Sequence, residues 1–337
     1  MSSPYPGQKT AVNIVLGAMT FGAPGTLGAR LSDIKDIEAI IDEFLSHGHR
    51  EIDAARVYGN GTNEQYLGQI DWKNKGVLME TKLYPVSPET DFAGNHSPAS
   101  IRKFCQMSLD ALKTDTIEMW YLHGPDRKTP FEDTLRAVNE LYKEGKFKRL
   151  GISNYMSWEV AELCGICERN GWIKPTVYQG LYNAILRTVE PELFPCLRKF
   201  GIAFYGFNPV GGGFFTGRYS SITDEADSTS RFSGEGRVST LYRKRYWQQA
   251  YFDGLNKISA AADKHGLTMI EVALRWTMHH SLMKREFGDA VLIGASSMAH
   301  IKQNLADFEK GALPEDVVEA LDEAWAGVKG IANPYYH

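Results

Sequence analysis

The sequence is poor in the features that would set it apart from an ordinary globular chain. Only four cysteines, Cys105, Cys164, Cys167 and Cys196, occur in 337 residues, too few for a disulfide scaffold. No apolar run approaches the roughly 18 residues that a membrane-spanning helix requires. Met1 to Thr10 is polar and has no charged start leading into an apolar stretch, so no secretory signal is read there. Without secretion, the sequons Asn60-Gly61-Thr62 and Asn95-His96-Ser97 are chance matches. Positive charge is in deficit as well: 37 lysines and arginines face 41 aspartates and glutamates, a net charge of −4. That balance excludes a basic field for nucleic acid and a polybasic membrane anchor. A cytoplasmic protein is the expectation.

What is present is a regular alternation of short apolar runs with longer stretches of helical period. The strand candidates are Ile14–Leu16, Glu51–Asp53, Val77–Thr81, Thr116–Leu122, Lys148–Ser153, Thr176–Leu181, Ile202–Phe207 and Ala290–Ile293. The helical patterns are Asp33–Ser46, Thr62–Gln69, Ser97–Leu112, Phe131–Lys143, Ser157–Asn170, Pro191–Phe200, Met269–His280 and Met298–Glu309. Ser97-Pro98 supplies an N-cap and a first-turn proline, and Ser157 before Trp158-Glu159 reads as a cap in the same way. Gly145, Gly171 and Gly201 fall just past helical stretches, where a left-handed residue is wanted.

Strand–helix alternation predicts an α/β fold with a parallel sheet, and eight such units predict closure into a (β/α)8 TIM barrel. The chain, 1–337, reads as one domain. An open doubly wound sheet would carry G-x-G-x-x-G after its first strand, and Gly17-Ala18-Met19-Thr20-Phe21-Gly22 lacks that spacing. The rhythm breaks once, in a long loop insertion between strands 7 and 8, Asn208 to Asp289, whose Ser220–Ser239 portion has no periodicity. A loop of that length on a barrel is read as a lid or a cofactor clamp. Cys164-Gly165-Ile166-Cys167 has redox or zinc spacing, but no second pair follows and the stretch is helical. Both cysteines are expected on a buried helix face.

Barrel active sites lie at the C-terminal ends of the strands. That filter selects Asp53, Tyr58, Lys82 and His123. Singly, each has an ordinary explanation: a helix cap, a packing aromatic, a surface charge and a rim histidine. Together they make chemical sense. A tyrosine with pKa near about 10 is a poor acid at neutral pH unless a cation favours its phenolate. Lys82 would do that, Asp53 would hold the ammonium, and His123 would orient a carbonyl oxygen. This is general acid catalysis in support of hydride transfer, and it needs no metal. A metal-dependent hydrolase is a poor alternative, because the strand ends lack a cluster of histidine and carboxylate ligands.

Glu51-Ile52-Asp53-Ala54-Ala55-Arg56-Val57-Tyr58-Gly59, Glu80-Thr81-Lys82 and Tyr121-Leu122-His123 resemble the segments that carry the catalytic residues of the aldo-keto reductase superfamily. Within it, the sequence is similar to the aflatoxin-aldehyde (succinic semialdehyde) reductase branch, over roughly Val15 to Asn304. The resemblance implies NADPH-dependent reduction of aldehydes, with ketones and dicarbonyls as further substrates. Tyr58 would be the acid, Lys82 and Asp53 would lower its pKa, and His123 would position the carbonyl. Ser153, Asn154 and Gln179 would hold the nicotinamide carboxamide, and Phe207, next to Asn208 and Pro209, would stack on its ring. Gly17 and Met19 at the first strand end join the cofactor set. Gly211, Gly213, Gly217 and Arg218 would approach the pyrophosphate. Gly294, Ser296, Gln303 and Asn304 resemble the loop and helix start that contact the adenosine ribose and 2′-phosphate. Strongly basic residues are sparse there, with His300 and Lys302 the local candidates.

On the substrate side, Tyr84, Arg231, Tyr242 and His337 are the candidates. Relatives of the branch end in an aromatic pair and an arginine placed to meet carboxylated aldehydes; this chain reads Tyr335-Tyr336-His337. Histidine cannot reproduce the arginine fork, so a weaker preference for acidic aldehydes is expected unless Arg231 or Arg243 compensates. Phe21, Trp120 and Trp247 are further aromatic candidates for the pocket, with Trp120 the one expected in the core. The partner is a small-molecule carbonyl compound, with no nucleic acid and no membrane, and dimers in this branch leave a homodimer open. Potassium-channel β-subunits also resemble these enzymes, so a cofactor-binding regulatory module is the alternative to an enzyme.

Overall fold

The eight apolar runs form strands β1 (Asn13–Gly17), β2 (Glu51–Asp53), β3 (Leu78–Leu83), β4 (Ile117–Leu122), β5 (Phe147–Ser153), β6 (Pro175–Leu181), β7 (Ala203–Phe207) and β8 (Ala290–Ile293). The structure is a computed structural model and describes residues 7–227, 230–234 and 236–337, with Arg237 described by its backbone alone. The reading of residues 1–6, and positions 228, 229 and 235 of the insertion, lie outside the described residues. Each strand pairs in parallel with the next, and β8 pairs with β1, so the sheet is a closed barrel.

Strand side chains alternate between two environments, as the two-residue period requires. Leu16, Ile52, Trp120, Leu150, Ile152, Tyr178 and Phe204 face outward into the layer beneath the helices. Val15, Met119, Tyr121, Val177, Ala203, Tyr205, Ala290 and Leu292 fill the barrel interior. This double burial explains why the strands read as apolar runs instead of alternating ones. Trp120 is in the outer layer with no exposed surface, as its strand position suggested. Phe21 is also wholly buried in that layer, which removes it from the pocket candidates.

The surrounding helices are α1 (Ile34–Ser46), α2 (Thr62–Leu67), α3 (Pro98–Leu112), α4 (Phe131–Lys143), α5 (Ser157–Asn170), α6 (Leu193–Phe200), α7 (Arg237–Tyr246), α8 (Gln249–Asp263), α9 (Met269–His279), α10 (Met298–Phe308) and α11 (Glu315–Val328). Ser97 caps α3 by accepting from Ser100 N, with Pro98 in the first turn. Gly171 and Gly201 end α5 and α6 at φ 64° and 65°. The cap of α5 differs from expectation. Met156 is the N-cap residue, Glu159 accepts from its backbone N–H at 2.7 Å, and Ser157 is the first helical residue, its hydroxyl donated to Glu192. Cys164 and Cys167 are buried on α5, and burial pushes their thiols up to about 12 and about 11. They are apolar packing residues, poor thiolates.

The insertion is more ordered than its composition suggested. Besides α9, where Met269–His280 reads as helical, it holds a 3-10 turn at Gly211–Thr216 and the helices α7 and α8. Gly254 in α8 lets α11 approach closely, since a Cβ there would meet Ala324 Cβ at 2.9 Å. Among the described residues no helix is long and apolar enough to cross a membrane.

Candidate active site

Three strand ends deliver the polar set to one mouth of the barrel. Asp53 ends β2 and Lys82 is the penultimate residue of β3. His123 follows β4, its N–H bonded to Leu83 O at 2.9 Å. Tyr58 begins a tight turn after β2, where Gly59 and Asn60 both have positive φ.

Lys82 Nζ donates to Asp53 Oδ2 at 2.7 Å and to Ala54 O at 2.6 Å, and lies 4.8 Å from the centroid of the Tyr58 ring. Gln179 Nε2 donates to Asp53 Oδ1 at 2.7 Å. Each Asp53 oxygen therefore accepts from a donor, the environment of a carboxylate. Burial pushes that carboxyl up while Lys82 and Gln179 pull it back. Burial works against the Lys82 charge, but Asp53 and Tyr58 outweigh it and the ammonium is held above its ordinary range. Burial also raises the Tyr58 phenol, and Lys82 opposes this by its charge and a hydrogen bond without overcoming it. The expectation that Lys82 and Asp53 together lower the phenol is corrected: Lys82 lowers it only relative to the value that burial has raised, and the Asp53 charge raises it.

The His123 ring meets the Tyr58 ring edge-on, with centroids 5.8 Å apart, and the Tyr84 ring likewise at 5.4 Å. Burial, then Lys82 and His337, hold His123 well below the ordinary imidazole range, so it is neutral. Its Nδ1 is buried with no hydrogen-bond partner among the described residues. A phenol backed by a buried ammonium and faced by a neutral imidazole can donate a proton to an oxygen placed between them.

The expected cofactor residues surround this centre. Asn154, at φ 64°, donates to Ser153 Oγ at 2.9 Å and to His123 O at 3.0 Å, so its amide bridges β5 and β4. Asn208 Nδ2 donates to Tyr246 Oη at 2.8 Å, and Asn183 Nδ2 donates to the same oxygen at 2.9 Å. Tyr246, from the insertion, thereby pins the end of β7 beside Phe207 and the buried Pro209. Sequence reasoning missed this residue, because nothing local marks a tyrosine of α7 as the anchor of a loop so far back in the chain.

Gly211, Gly212 and Gly213 have φ of 62°, 68° and 106°, and Gly217 of 72°. A Cβ on Gly213 would meet only Thr216 Cγ2, at 3.9 Å, so that stretch of backbone lies open to a ligand. Arg218 is exposed, with Asp227 3.9 Å away. Gly17 and Gly294 face each other across β1 and β8, and a Cβ on either would touch only backbone, at 3.6 Å or more. Met19 packs against Gly28. Ser296 Oγ lies 3.0 Å from His300 Nδ1 at the start of α10, and Ser297 caps the helix. Asp36, Leu31, Ser296 and Ser297 line a cavity of about 200 Å3 there. Gln303 is turned along the helix to Asp307 Oδ1 at 3.0 Å, and its neighbour Asn304 is half-buried. Lys302 lies 3.8 Å from Glu43.

The substrate candidates divide between two sides. Tyr84 Oη and His337 Nε2 are 3.3 Å apart, and Arg127 holds the His337 carbonyl oxygen at 3.1 Å. Opposite, Arg231 donates to Tyr242 Oη at 2.6 Å, and Tyr242 is close enough to Tyr58 to affect its ionisation. Two expectations are corrected. Arg243 donates to Phe232 O at 2.6 Å and stacks on Trp247, so it braces the insertion. Trp247 packs with Tyr219, Phe232 and Phe252 and donates to Ile222 O; it belongs to the same brace. Among the described residues no group of three or more histidine, cysteine or carboxylate side chains is arranged to hold a metal ion.

Comparison with known proteins agrees with this arrangement. The profile described as Aldo/keto reductase family matches residues 13–326. The chain is 44% identical to "Aldo-keto reductase pigE" of Monascus ruber, over 98% of each chain. It is 43% identical to human "Aldo-keto reductase family 7 member A3", over 92% of this chain and 93% of the relative. Human "Aflatoxin B1 aldehyde reductase member 4" is 41% identical over the same shares.

Proposed function

The chain belongs to the aldo/keto reductase family, and from that membership we propose that it reduces aldehydes to alcohols with NADPH, Tyr58 giving the proton. The family and the reductase relatives make it an oxidoreductase acting on small carbonyl compounds. The observation that carries the finer reading is the placement of Lys82 between Asp53 Oδ2, at 2.7 Å, and the Tyr58 ring, at 4.8 Å.

The bound nicotinamide supplies the hydride. The protein then has to hold the carbonyl oxygen, give it a proton and stabilise the phenolate left behind. A neutral His123 serves as the hydrogen-bond donor to the oxygen, which an acceptor-only side chain could not do. Tyr58 gives the proton, and the buried Lys82 ammonium stabilises the resulting anion in a setting where charges interact strongly. Asp53 and Gln179 hold Lys82 in place.

The open glycine seam between β1 and β8, the bare backbone at Gly213, the Ser153 hydroxyl and the amides of Asn154 and Gln179 fit an extended dinucleotide. Phe207 would meet the nicotinamide ring, Gly211, Gly213, Gly217 and Arg218 the pyrophosphate, and Gly294, Ser296, Gln303 and Asn304 the adenosine end. The serines and His300 at the start of α10 would receive a 2′-phosphate, since Lys302 already has Glu43 beside it. Tyr84 and His337 on one side, with Tyr242 and Arg231 on the other, suit a substrate with an aromatic body.

The test is loss of NADPH absorbance with 4-nitrobenzaldehyde, comparing wild type with Tyr58→Phe. Turnover in the wild type that disappears in the variant, with NADPH binding retained, is the expected result. Wild-type turnover in the variant would overturn the acid assignment. NADPH binding without any turnover of a panel of aldehydes would favour the regulatory module instead.

A further inference from the structure

Beneath the Lys82–Asp53 pair the barrel interior holds a second set of ionisable groups that the proton transfer does not touch. Glu51 and Glu80 occupy the inward positions two residues before Asp53 and Lys82 on the same strands, which places them about 7 Å deeper along the barrel. Glu80 has no exposed surface. Tyr121 of β4 donates to Glu80 Oε2 at 3.1 Å, and Tyr205 of β7 donates to Glu51 Oε2 at 2.8 Å.

The informative atom is Glu80 Oε1. It is buried, no N–H or hydroxyl of the described residues reaches it, and the Glu51 carboxyl is hydrogen bonded to Glu80. Two ionised carboxylates cannot make that contact, so one of them carries a proton. Burial, then the Glu51 charge, push Glu80 well above the ordinary carboxyl range, which makes Glu80 the protonated member. The groups facing it are Glu51 and Asp53 from β2, Lys82 on its own strand, Tyr121 from β4 and Arg149 from β5. Tyr205 and Arg149 face Glu51.

We propose that Glu80 and Glu51 share a single proton and act as a positioning pair for the reaction, setting one negative charge beneath Lys82. The proposal rests on the reading of Tyr58 as the acid. With one charge, the pair balances Arg149 and leaves the Lys82 ammonium to Asp53 and the phenol. A second charge would compete with Tyr58 for the ammonium and oppose the phenolate left by proton donation. The Tyr121 ring, 5.7 Å from Lys82 Nζ, fills the space between the two layers, and Gly151 makes room for it, since a Cβ there would come within 2.2 Å of the ring. No water-sized gap is needed for the layers to interact through space. At an effective dielectric constant of about 20, one charge at about 7 Å moves a titration by roughly one to two pH units.

The pair gives a distinctive pattern in the pH profile of kcat. Glu80→Gln leaves Glu51 as the single charge. Glu51→Gln lets Glu80 ionise, so the charge again remains one. Each single variant therefore keeps the alkaline limb where the wild type has it. Glu51→Gln with Glu80→Gln removes the charge and brings the limb down by about one to two pH units. A limb moved by Glu80→Gln alone would show two charges in the native pair and overturn the proposal. A double variant with a lowered Tm and an unmoved limb would show a purely structural role, and overturn it too. Infrared spectra of the wild type need no variant that must fold. A protonated-carboxyl band at pH 8, lost in Glu80→Gln, is expected, and its absence overturns the shared proton whatever Tyr58 does. If Tyr58→Phe keeps its turnover while the band and the double-variant shift are both present, the pair stands and the acid has to be reassigned.

Discussion

Gln179 Nε2 and Lys82 Nζ grip the two oxygens of Asp53 from opposite sides, each at 2.7 Å. Gln179 comes from β6 and Lys82 from β3, so the carboxylate ties strands that lie across the barrel from each other. The amide nitrogen of Gln179 is committed to this role, and its carbonyl oxygen is what it has to offer a cofactor amide.

Gln179→Leu should therefore act on stability as well as on cofactor binding. It removes one donor from a carboxylate that is 2% exposed, and a buried acceptor left unsatisfied costs about 1–3 kcal/mol. A fall in Tm of a few degrees, together with weaker NADPH binding by fluorescence titration, is the expected pair of results. An unchanged Tm would mean that the Asp53 oxygen finds another donor.

Lys82→Met tests the coupling between ammonium and phenol through its sign. Lys82 lowers a phenol that burial has raised, so removing the cation sends the Tyr58 pKa higher still. The phenol becomes a weaker acid, kcat falls by the 10²–10⁴-fold typical of lost acid catalysis, and the alkaline limb moves upward. A limb that stays in place, or moves down, would separate Lys82 from the proton transfer.

Much of this site was legible before any coordinates. Asp53, Tyr58, Lys82 and His123 each follow or end an apolar run, and a barrel brings such positions to one mouth whatever its loops do. The missing parts are those for which local pattern and global role disagree. Glu80 sits beside Thr81 and Lys82 in a run that reads as a polar strand end; only the register of β3 against β2 and β4 turns it into the core. The insertion was read as irregular because α7 is nearly all polar on its surface, and Tyr246 is defined by contacts with Asn183 and Asn208 that no short window contains. The α5 cap slipped by one residue because Ser157, a good capping residue, gave its hydroxyl to Glu192 instead.

Gly212→Ala should disturb the substrate side through Tyr242. Gly212 is at φ 68°, where a Cβ costs about 1–2 kcal/mol, and that Cβ would come within 2.0 Å of the Tyr242 ring. Tyr242 must shift, taking with it the hydroxyl that Arg231 holds at 2.6 Å. A raised KM for the aldehyde, with kcat changed much less, is expected in steady-state kinetics. An equal fall in kcat and kcat/KM would instead place Tyr242 in the transition-state machinery.

His49→Phe separates acid sensitivity from catalysis, because His49 lies at the other end of the barrel, just before β2. Its ring stacks on Phe44 at 5.2 Å and both nitrogens are buried with no partner among the described residues. Burial, then His47, bring its pKa down to about 4. The sign follows from linkage: the unfolded chain takes up the proton below about 6.5, the folded chain only near 4. The contribution to stability is fully present above pH 6.5 and is lost as the pH falls towards 4, by about 3 kcal/mol at most. His96, also brought to about 4 by burial, adds a similar loss over the same window. Phenylalanine keeps the stacking and removes both unsatisfied nitrogens, so the variant should be at least as stable as wild type at pH 7. Between pH 7 and pH 4 it should lose about 3 kcal/mol less than the wild type, with His96 and His123 carrying the loss that remains, measured by urea unfolding at each pH. If the two proteins fall in parallel, His49 is protonated in the folded state and its ring has a partner that only the charged form recruits.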